Sequence, residues 1–465
     1  MSPETAGTTV PVELLRKYDR SGPRYTSYPT VPVWKEEIGR IHYEEALRAA
    51  SERATDPLAI YCHIPFCQRR CYYCGCNTVI TNSTSRVDSY SSALLRETRH
   101  VVSLLGDRRT INQLHFGGGT PTFIDPARFA RILQSLSEEF RFEDGCEKSI
   151  EVDPRVTSFD QIDFLSENGF NRISLGVQDF DQSVQKAVGR VQSFELVADL
   201  IAHCRTRGFK GINIDLIYGL PCQTAETFEN TLELSLRLKP DRVAVYSFAY
   251  LPKAMPHQSM IRYEDLPSTE TKYRLISTAV ERFTGGGYRQ IGMDHFALPN
   301  DELAIAQVDG RLHRNFMGYT VQAAPEMIGL GMSSIGYVDN GFYQNLSRLD
   351  SYQTAIDRDK TAVYRGIRLS RDDQIRQFVI STLMCNFQLP FSGLQTRFGV
   401  NFIEYFVHEQ SALAEFVDDD LLVIGDDGLR ITALGRTFVR NIAMTFDAYL
   451  QSQETTPGST FSRTI

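Results

Sequence analysis

The sequence predicts an α/β protein built on a parallel sheet, and three observations predict it. Six apolar, β-branched runs recur along the chain: LAIYCHIPF (58–66), INQLHFGGGTP (111–121), KSIEVDPR (148–155), RISLGVQDF (172–180), GINIDLIYGLP (211–221) and RVAVYSFAYLP (242–252). Several carry apolar residues on both alternations, as strands covered on both faces require. Between them lie segments with apolar residues at helical spacing, such as VDSYSSALLRETRHVVSLL (87–105), ARFARILQSLSEEF (127–140) and FELVADLIAHCRTRG (194–208). Successive strand–helix units mostly about 30 residues apart point to βαβ architecture. An open doubly wound sheet and a full or partial (β/α) barrel both satisfy that pattern, and both place chemistry at the carboxyl ends of the strands. Those ends hold the unusual residues of this chain: the cysteine cluster, GGGTP, Glu151–Asp153, Gln178–Asp179, Asp215 and Phe248–Tyr250.

Length and composition narrow the class. With 465 residues the chain is long enough for two or three domains, and 42% hydrophobic with 23% charged residues excludes wholesale disorder. No apolar run reaches the ~18–20 residues that cross a bilayer. The first residues, MSPETAGTTV, have neither a basic nor an apolar leader region, so a cytoplasmic protein without a membrane partner is expected. A formal net charge of −8 is a poor match for nucleic acid or anionic lipid, so any anionic ligand must meet local positive charge. Nothing in the sequence demands assembly, and a monomer is expected.

The polar ends, 1–9 and the tail from Ser452, are expected to be mobile. From about Gly366 the pattern changes. Ser370 and Asp373 form a helix start, after which Ile375, Phe378, Val379 and Leu383 trace one face. LLVIGDDGLRIT (421–432) reads as a hairpin turning at Asp427–Gly428, followed by the helical ALGRTFVRNIAMTF. Helix, hairpin and helix in this order resemble a winged-helix module, but Asp418, Asp419 and Asp420 beside the wing repel phosphate, which favours a covering domain over a DNA-binding one. The expected domains are an N-terminal arm and lead-in (1–56), the α/β domain with an extension (57–365), a small, mainly helical C-terminal domain (366–451) and a tail (452–465).

The cysteines carry the chemistry. Cys62, Cys67, Cys71, Cys74 and Cys76 all fall within YCHIPFCQRRCYYCGC, while Cys146, Cys204, Cys222 and Cys385 are scattered. In a reducing compartment such a cluster points to metal or redox chemistry. A structural zinc site completed by Cys76 or His63 is one reading, although no second cysteine pair follows. The other is a 4Fe-4S cluster held by three thiolates, which leaves one iron open for an exogenous ligand.

Cys67-x-x-x-Cys71-x-x-Cys74, with Tyr73 before the last cysteine, resembles the radical S-adenosylmethionine superfamily. That resemblance implies an open iron that binds the methionyl amino and carboxylate groups, and reductive cleavage of the sulfonium to a 5′-deoxyadenosyl radical. Phe116-Gly117-Gly118-Gly119-Thr120-Pro121 then corresponds to the superfamily's Gly-rich stretch, where missing side chains let backbone approach the ligand.

Longer motifs narrow the resemblance. Tyr61-Cys62-His63-Ile64-Pro65-Phe66-Cys67, Cys74-Gly75-Cys76, the arm GPRYTSYPT (22–30), IEVDPR, GVQDF, NIDLIYGLP, IGMDHFALPNDELA and GLGMSSIG resemble, in order, the oxygen-independent coproporphyrinogen III oxidase family. The resemblance implies a partial (β/α)6 TIM-like barrel and decarboxylation of two propionates of coproporphyrinogen III to vinyls. It implies Cys67, Cys71 and Cys74 as cluster ligands, with Cys76 in the motif but not a ligand. Tyr61, Gly118 and Glu151 would contact the S-adenosylmethionine at the iron. Tyr73, Gly119, Thr120, Gln178, Arg190, Asp215, Ala249 and Ile335 would line a second S-adenosylmethionine or the space between the two. Tyr61 and His63 match positions needed for activity. An electron donor of flavodoxin or ferredoxin type and an electron acceptor are further implied partners. A related haem chaperone is the alternative; that group lacks the arm and differs after the third cysteine. Arg24, Arg311, His313 and Arg314 are candidate partners for substrate carboxylates, and the arm (about 17–34) is expected to be a mobile closure.

Overall fold

The computed structural model describes residues 10–321 and 326–453, with 461, 463 and 464; the polar residues 1–9 and most of the tail beyond 453 lie outside the described residues. The chain folds as two compact units. One comprises the described residues of 34–267 and 322–368, the other those of 1–33, 268–321 and 369–465.

The larger unit is built on six strands, β1 (Leu58–Ile64), β2 (Thr110–Gly118), β3 (Arg141–Val152), β4 (Arg172–Gln178), β5 (Gly211–Tyr218) and β6 (Arg242–Ser247). They lie side by side in sequence order, each parallel to the next. An order that never reverses has no switch point, so the doubly wound alternative falls and the (β/α) barrel remains. The second neighbour of β1 is not β6 but β7 (Glu326–Leu330), also parallel, so the six strands form a partial barrel. Strands β8 (Ile335–Val338), β9 (Gly341–Asn345) and β10 (Val363–Arg368) continue the sheet as an antiparallel meander.

The helices follow the expected pattern: α1 (Thr84–Leu105), α2 (Pro126–Glu139), α3 (Phe159–Glu167), α4 (Gln182–Ala187), α5 (Phe194–Thr206) and α6 (Ala225–Leu238). Several starts are written in the sequence. Asp125 caps α2 ahead of Pro126, and Ser158 with Gln161 closes a capping box on α3. On β4 and β5 the burial alternates. Ile173, Leu175 and Val177 of β4 and Ile212, Ile214 and Leu216 of β5 are buried, leaving Ser174, Gln178, Asn213 and Asp215 for the opposite face. That polar face is where the site is built.

One buried network fixes the loop between β7 and β8. Glu97 of α1, 2% exposed, accepts hydrogen bonds from the Gly331 N–H (2.8 Å), Asn345 Nδ2 (2.6 Å) and Tyr352 Oη (2.7 Å). Tyr90 of the same helix donates to the His63 carbonyl (2.5 Å) and accepts from the Met332 N–H (3.2 Å). The end of β1 and the 331–334 loop therefore share one support.

In the smaller unit the helix Arg371–Asn386 starts at Ser370, which forms a capping box with Asp373. The hairpin strands Leu422–Ile424 and Gly428–Ile431 pair as expected, joined by a third strand, Gln388–Pro390, that the sequence pattern did not reveal. The arm is not free, as the sequence suggested. Tyr18, Tyr25 and Tyr28 are buried in the same core as Leu383, Phe406 and Phe438, and Tyr25 Oη donates to Asp447 Oδ2 (3.0 Å). Burying three tyrosines outweighs the entropy of leaving this segment loose. No helix among the described residues is long and apolar enough to cross a membrane.

Candidate active site

The cysteine loop leaves β1 directly and is closed by a short parallel pairing of Phe66–Cys67 with Val79–Ile80. Its middle is pinned to other strand ends. The Tyr72 N–H donates to the Val188 carbonyl (2.9 Å), and Gly189 (φ +65°) leaves room for the Tyr72 ring. His257 Nε2 donates to the Cys74 carbonyl (2.7 Å). Gln258, 1% exposed, donates to both the Tyr73 carbonyl (3.4 Å) and the Ala249 carbonyl (3.1 Å), which ties the loop to the exit of β6. Neither His257 nor Gln258 stands in a recognisable motif, so sequence reading missed both.

Each of the three cysteines has a different polar neighbour. Cys67 Sγ lies 3.5 Å from Thr120 Oγ1, and burial pushes its thiol up to about 11. Cys71 Sγ receives Arg155 Nη2 at 3.5 Å and Arg190 Nη1 at 3.7 Å. The Cys74 thiol is lowered to about 7, chiefly by a hydrogen bond from Cys76, with burial opposing. All nine cysteines are free thiols, and Cys76 is exposed.

The Gly-rich end of β2 is a packing requirement. A Cβ on Gly117 would meet the Glu151 carboxylate at 3.0 Å, one on Gly118 the His63 ring at 2.6 Å, and one on Gly119 the Pro65 and Phe66 backbone at 2.7 Å. Glu151, the penultimate residue of β3, accepts from the Gly118 N–H (3.2 Å) and from His115 Nε2 (3.4 Å). Desolvation raises its carboxyl, but these two donors win and hold it below the usual range. His115, itself held by Ser149 Oγ at 2.7 Å, is a third residue the sequence did not flag.

Tyr61 and His63 point the same way along β1. His63 Nε2 faces the Asn77 carbonyl (2.9 Å), which can only accept, so Nε2 carries the proton. Burial lowers the affinity of the ring for a second proton, and Nδ1 then accepts from Tyr61 Oη (3.0 Å). A neutral imidazole with a fixed tautomer results.

Arg190 follows α4 and donates to the Gly176 carbonyl (2.5 Å) and to Asp153 Oδ2 (2.9 Å). Gln178 sits at a bulge of β4 with φ +69°, and bare Gly176 gives space to both Gln178 and Arg190. Asp215 corrects the sequence reading: it lies mid-strand in β5, level with Gly176, rather than ending the strand. It accepts from Ser174 Oγ (3.0 Å) and Asn213 Nδ2 (2.8 Å). Ile335 opens β8 against Gly329, which pairs with Tyr61. The arginines proposed for substrate carboxylates lie in the smaller unit and are engaged there. Arg24 pairs with buried Asp294 (2.9 Å), Arg311 with Asp309 (2.7 Å), and Arg314 donates to the Arg24 carbonyl (3.0 Å).

The donor set fits an iron–sulfur cluster. Three soft sulfurs lie on one loop beside a backbone cradle with no side chains. The Cys76 thiol is hydrogen-bonded to Cys74, a role that a serine hydroxyl can take over. Cys76→Ser is therefore expected to keep its full iron content, which iron counting on the reconstituted variant checks.

Residues 61–235 match the radical SAM superfamily, and residues 369–438 match the HemN C-terminal domain. The partial barrel, the cysteine loop and this match make the chain a radical SAM protein, whose class uses a 4Fe-4S cluster and S-adenosylmethionine. It is 45% identical to the oxygen-independent coproporphyrinogen III oxidase of Salmonella typhimurium and 43% identical to that of Escherichia coli K12, in each case over 95% of both chains. The solved structure of coproporphyrinogen III oxidase (HemN) from Escherichia coli, described as a radical SAM enzyme, matches with a TM-score of 0.90 at 41% identity, covering 96% of this chain and 100% of that one. The chain belongs to the oxygen-independent coproporphyrinogen III oxidase family.

Proposed function

We propose that this chain converts two propionates of coproporphyrinogen III to vinyls by oxidative decarboxylation, giving protoporphyrinogen IX for haem synthesis without dioxygen. In this reading Cys67, Cys71 and Cys74 hold the cluster, and Tyr61, Gly118 and Glu151 hold the S-adenosylmethionine at its open corner. Bound there, cluster and S-adenosylmethionine supply an electron and a 5′-deoxyadenosyl radical, whose new C–H bond is stronger than the propionate C–H bond it replaces. General-base catalysis alone cannot reach that hydrogen, because the propionate β-carbon has no acidic proton.

The chain's own residues bind, orient and exclude water. Gly118 and Gly119 carry no side chain, so the backbone can come close to the ligand, and ionised Glu151 suits a cationic amino group or ribose hydroxyls. The neutral His63 ring holds the Tyr61 hydroxyl proton at a fixed place beside the reaction. Tyr73, Gly119, Thr120, Gln178, Arg190, Asp215, Ala249 and Ile335 line a second S-adenosylmethionine. The protein acts as a cytoplasmic monomer, draws electrons from a flavodoxin- or ferredoxin-type donor and passes the substrate electron to an acceptor.

The observation that carries this reading is the three-cysteine loop placed beside the Gly-rich end of β2 and Glu151, in a chain aligned nearly end to end with named oxidases. Anaerobically reconstituted protein supplied with reductant, S-adenosylmethionine and coproporphyrinogen III should form protoporphyrinogen and 5′-deoxyadenosine. No turnover by a fully loaded sample sinks it. Equilibrium binding should give two S-adenosylmethionine molecules per wild-type chain and one for Asp215→Asn, with the cluster retained; one per wild-type chain removes the second site.

A further inference from the structure

The Cys71 sulfur is singled out by its hydrogen-bond donors. Arg155 Nη2 lies 3.5 Å from it and Arg190 Nη1 3.7 Å. The same two nitrogens donate to one oxygen, Asp153 Oδ2, at 2.6 and 2.9 Å. Each terminal guanidinium nitrogen carries two hydrogens, so one serves the carboxylate and the other the sulfur. Arg155 is the more tightly set: its Nε and its backbone N–H both reach Asp153 Oδ1 at 3.0 Å, which makes the pair a fork. The local sequence produces this arrangement, because Asp153-Pro154-Arg155 turns away immediately after β3, and Thr157 Oγ1 fastens the turn through the Asp153 carbonyl (2.9 Å). Asp153 and Arg190 are 8% and 6% exposed. Two guanidiniums and one carboxylate leave one positive charge beside this sulfur. Cys67 instead faces a neutral hydroxyl and Cys74 a thiol, with Arg70 and Arg190 acting on Cys74 only through space.

We infer that Asp153, Arg155 and Arg190 form a donor set that raises the potential at which the cluster accepts its electron, with Arg155 as the tuning residue. The inference rests on the reading that Cys71 ligates the cluster. Reduction adds one negative charge to the cluster, and guanidinium N–H donors on a ligating sulfur stabilise the more negative state; hydrogen bonds to the sulfurs are among the levers that set such potentials. Arg190 also serves the Gly176 carbonyl, whereas the hydrogen bonds of the Arg155 side chain go to Asp153 and Cys71. Replacing Arg155 therefore isolates the effect.

The test compares reconstituted full-length wild type, Arg155→Gln and Arg155→Lys, each poised at a series of potentials, with the reduced fraction read by electron paramagnetic resonance. At the potential that half-reduces the wild type, the reduced-to-oxidised ratio should fall at least tenfold in Arg155→Gln, equivalent to 59 mV for a one-electron couple. Arg155→Lys keeps the charge without the fork and should fall less. An unchanged ratio in Arg155→Gln at full iron content overturns the inference. So does failure of both variants to load iron, which assigns Arg155 to holding the loop. A wild-type chain with no reducible cluster sinks the ligand reading as well, and is recognised before any variant is compared.

Discussion

Replacing Cys67, Cys71 or Cys74 by serine is expected to abolish cluster assembly and, with it, formation of 5′-deoxyadenosine. A hydroxyl is a hard, weakly acidic donor where iron–sulfur chemistry needs a soft thiolate, and two remaining sulfurs on one loop cannot hold a cluster that already lacks a fourth protein ligand. Iron should fall from about four atoms per chain to background, with loss of the broad absorption near 400 nm (roughly). The three variants should differ in the metal-free protein. Cys67→Ser exchanges one small neutral group for another beside Thr120. Cys71→Ser removes the sulfur to which the Arg155 and Arg190 guanidiniums donate and puts a shorter hydroxyl in its place. It should cost about 1–3 kcal/mol more in urea unfolding than Cys67→Ser. A serine variant that retains four irons would remove that cysteine from the ligand set.

The reason so much of this site was readable is that its chemistry is local in sequence. Cys67, Cys71 and Cys74 share one eight-residue loop, and Gly117, Gly118 and Gly119 are consecutive, so neither group needs the fold to be recognised. The strands that carry them were legible as apolar runs because parallel strands are buried on both faces; β1 and β2 are buried along almost their whole length. What periodicity could not supply was strand order. The doubly wound and barrel arrangements share one local pattern, and only the unreversed order of β1 to β6 separates them.

The residues that escaped are those whose roles come from long-range pairing. Arg155 reads as an ordinary surface arginine after a turn, and its approach to Cys71, 84 positions earlier, follows only from the packing of the β3 exit against the cysteine loop. Gln258 reads as loop filler, yet it is buried and joins Tyr73 to Ala249. His115 sits inside an apolar strand and gains meaning from Ser149 and Glu151 on the neighbouring strand. The arm failed for a different reason: Gly, Pro and Ser between tyrosines look like a loose segment, but tyrosine burial is decided by a partner surface more than 400 positions away, at Asp447. Asp215 was misplaced because a polar residue in a strand suggests an end, whereas a barrel interior accepts polar residues at mid-strand on alternate positions.

Gly118→Ala should leave the cluster intact and disable its use. Two independent constraints act at this position. The backbone has φ +115°, a region that L-residues rarely adopt, and an added Cβ would lie 2.6 to 2.9 Å from three atoms of the His63 ring. The ring cannot swing aside cheaply, because Tyr61 Oη holds Nδ1 at 3.0 Å and the Asn77 carbonyl holds Nε2 at 2.9 Å. Backbone strain of about 1–3 kcal/mol and overpacking of about 1–3 kcal/mol would be relieved by shifting the peptide that donates to Glu151 and the ring that orders Tyr61. The three cysteines lie on another loop, so iron content should stay at the wild-type level. S-adenosylmethionine affinity should drop, and 5′-deoxyadenosine formation should fall by about 100-fold or more, the equivalent of roughly 3 kcal/mol. Gly145→Ala is the matched control: φ there is +82°, but a Cβ meets nothing within 4 Å. That variant should lose about 1 kcal/mol of stability and keep its activity, since it carries the backbone penalty without the clash. If Gly118→Ala binds S-adenosylmethionine and turns over as the wild type does, the contact between the Gly-rich strand end and His63 has no part in building the site.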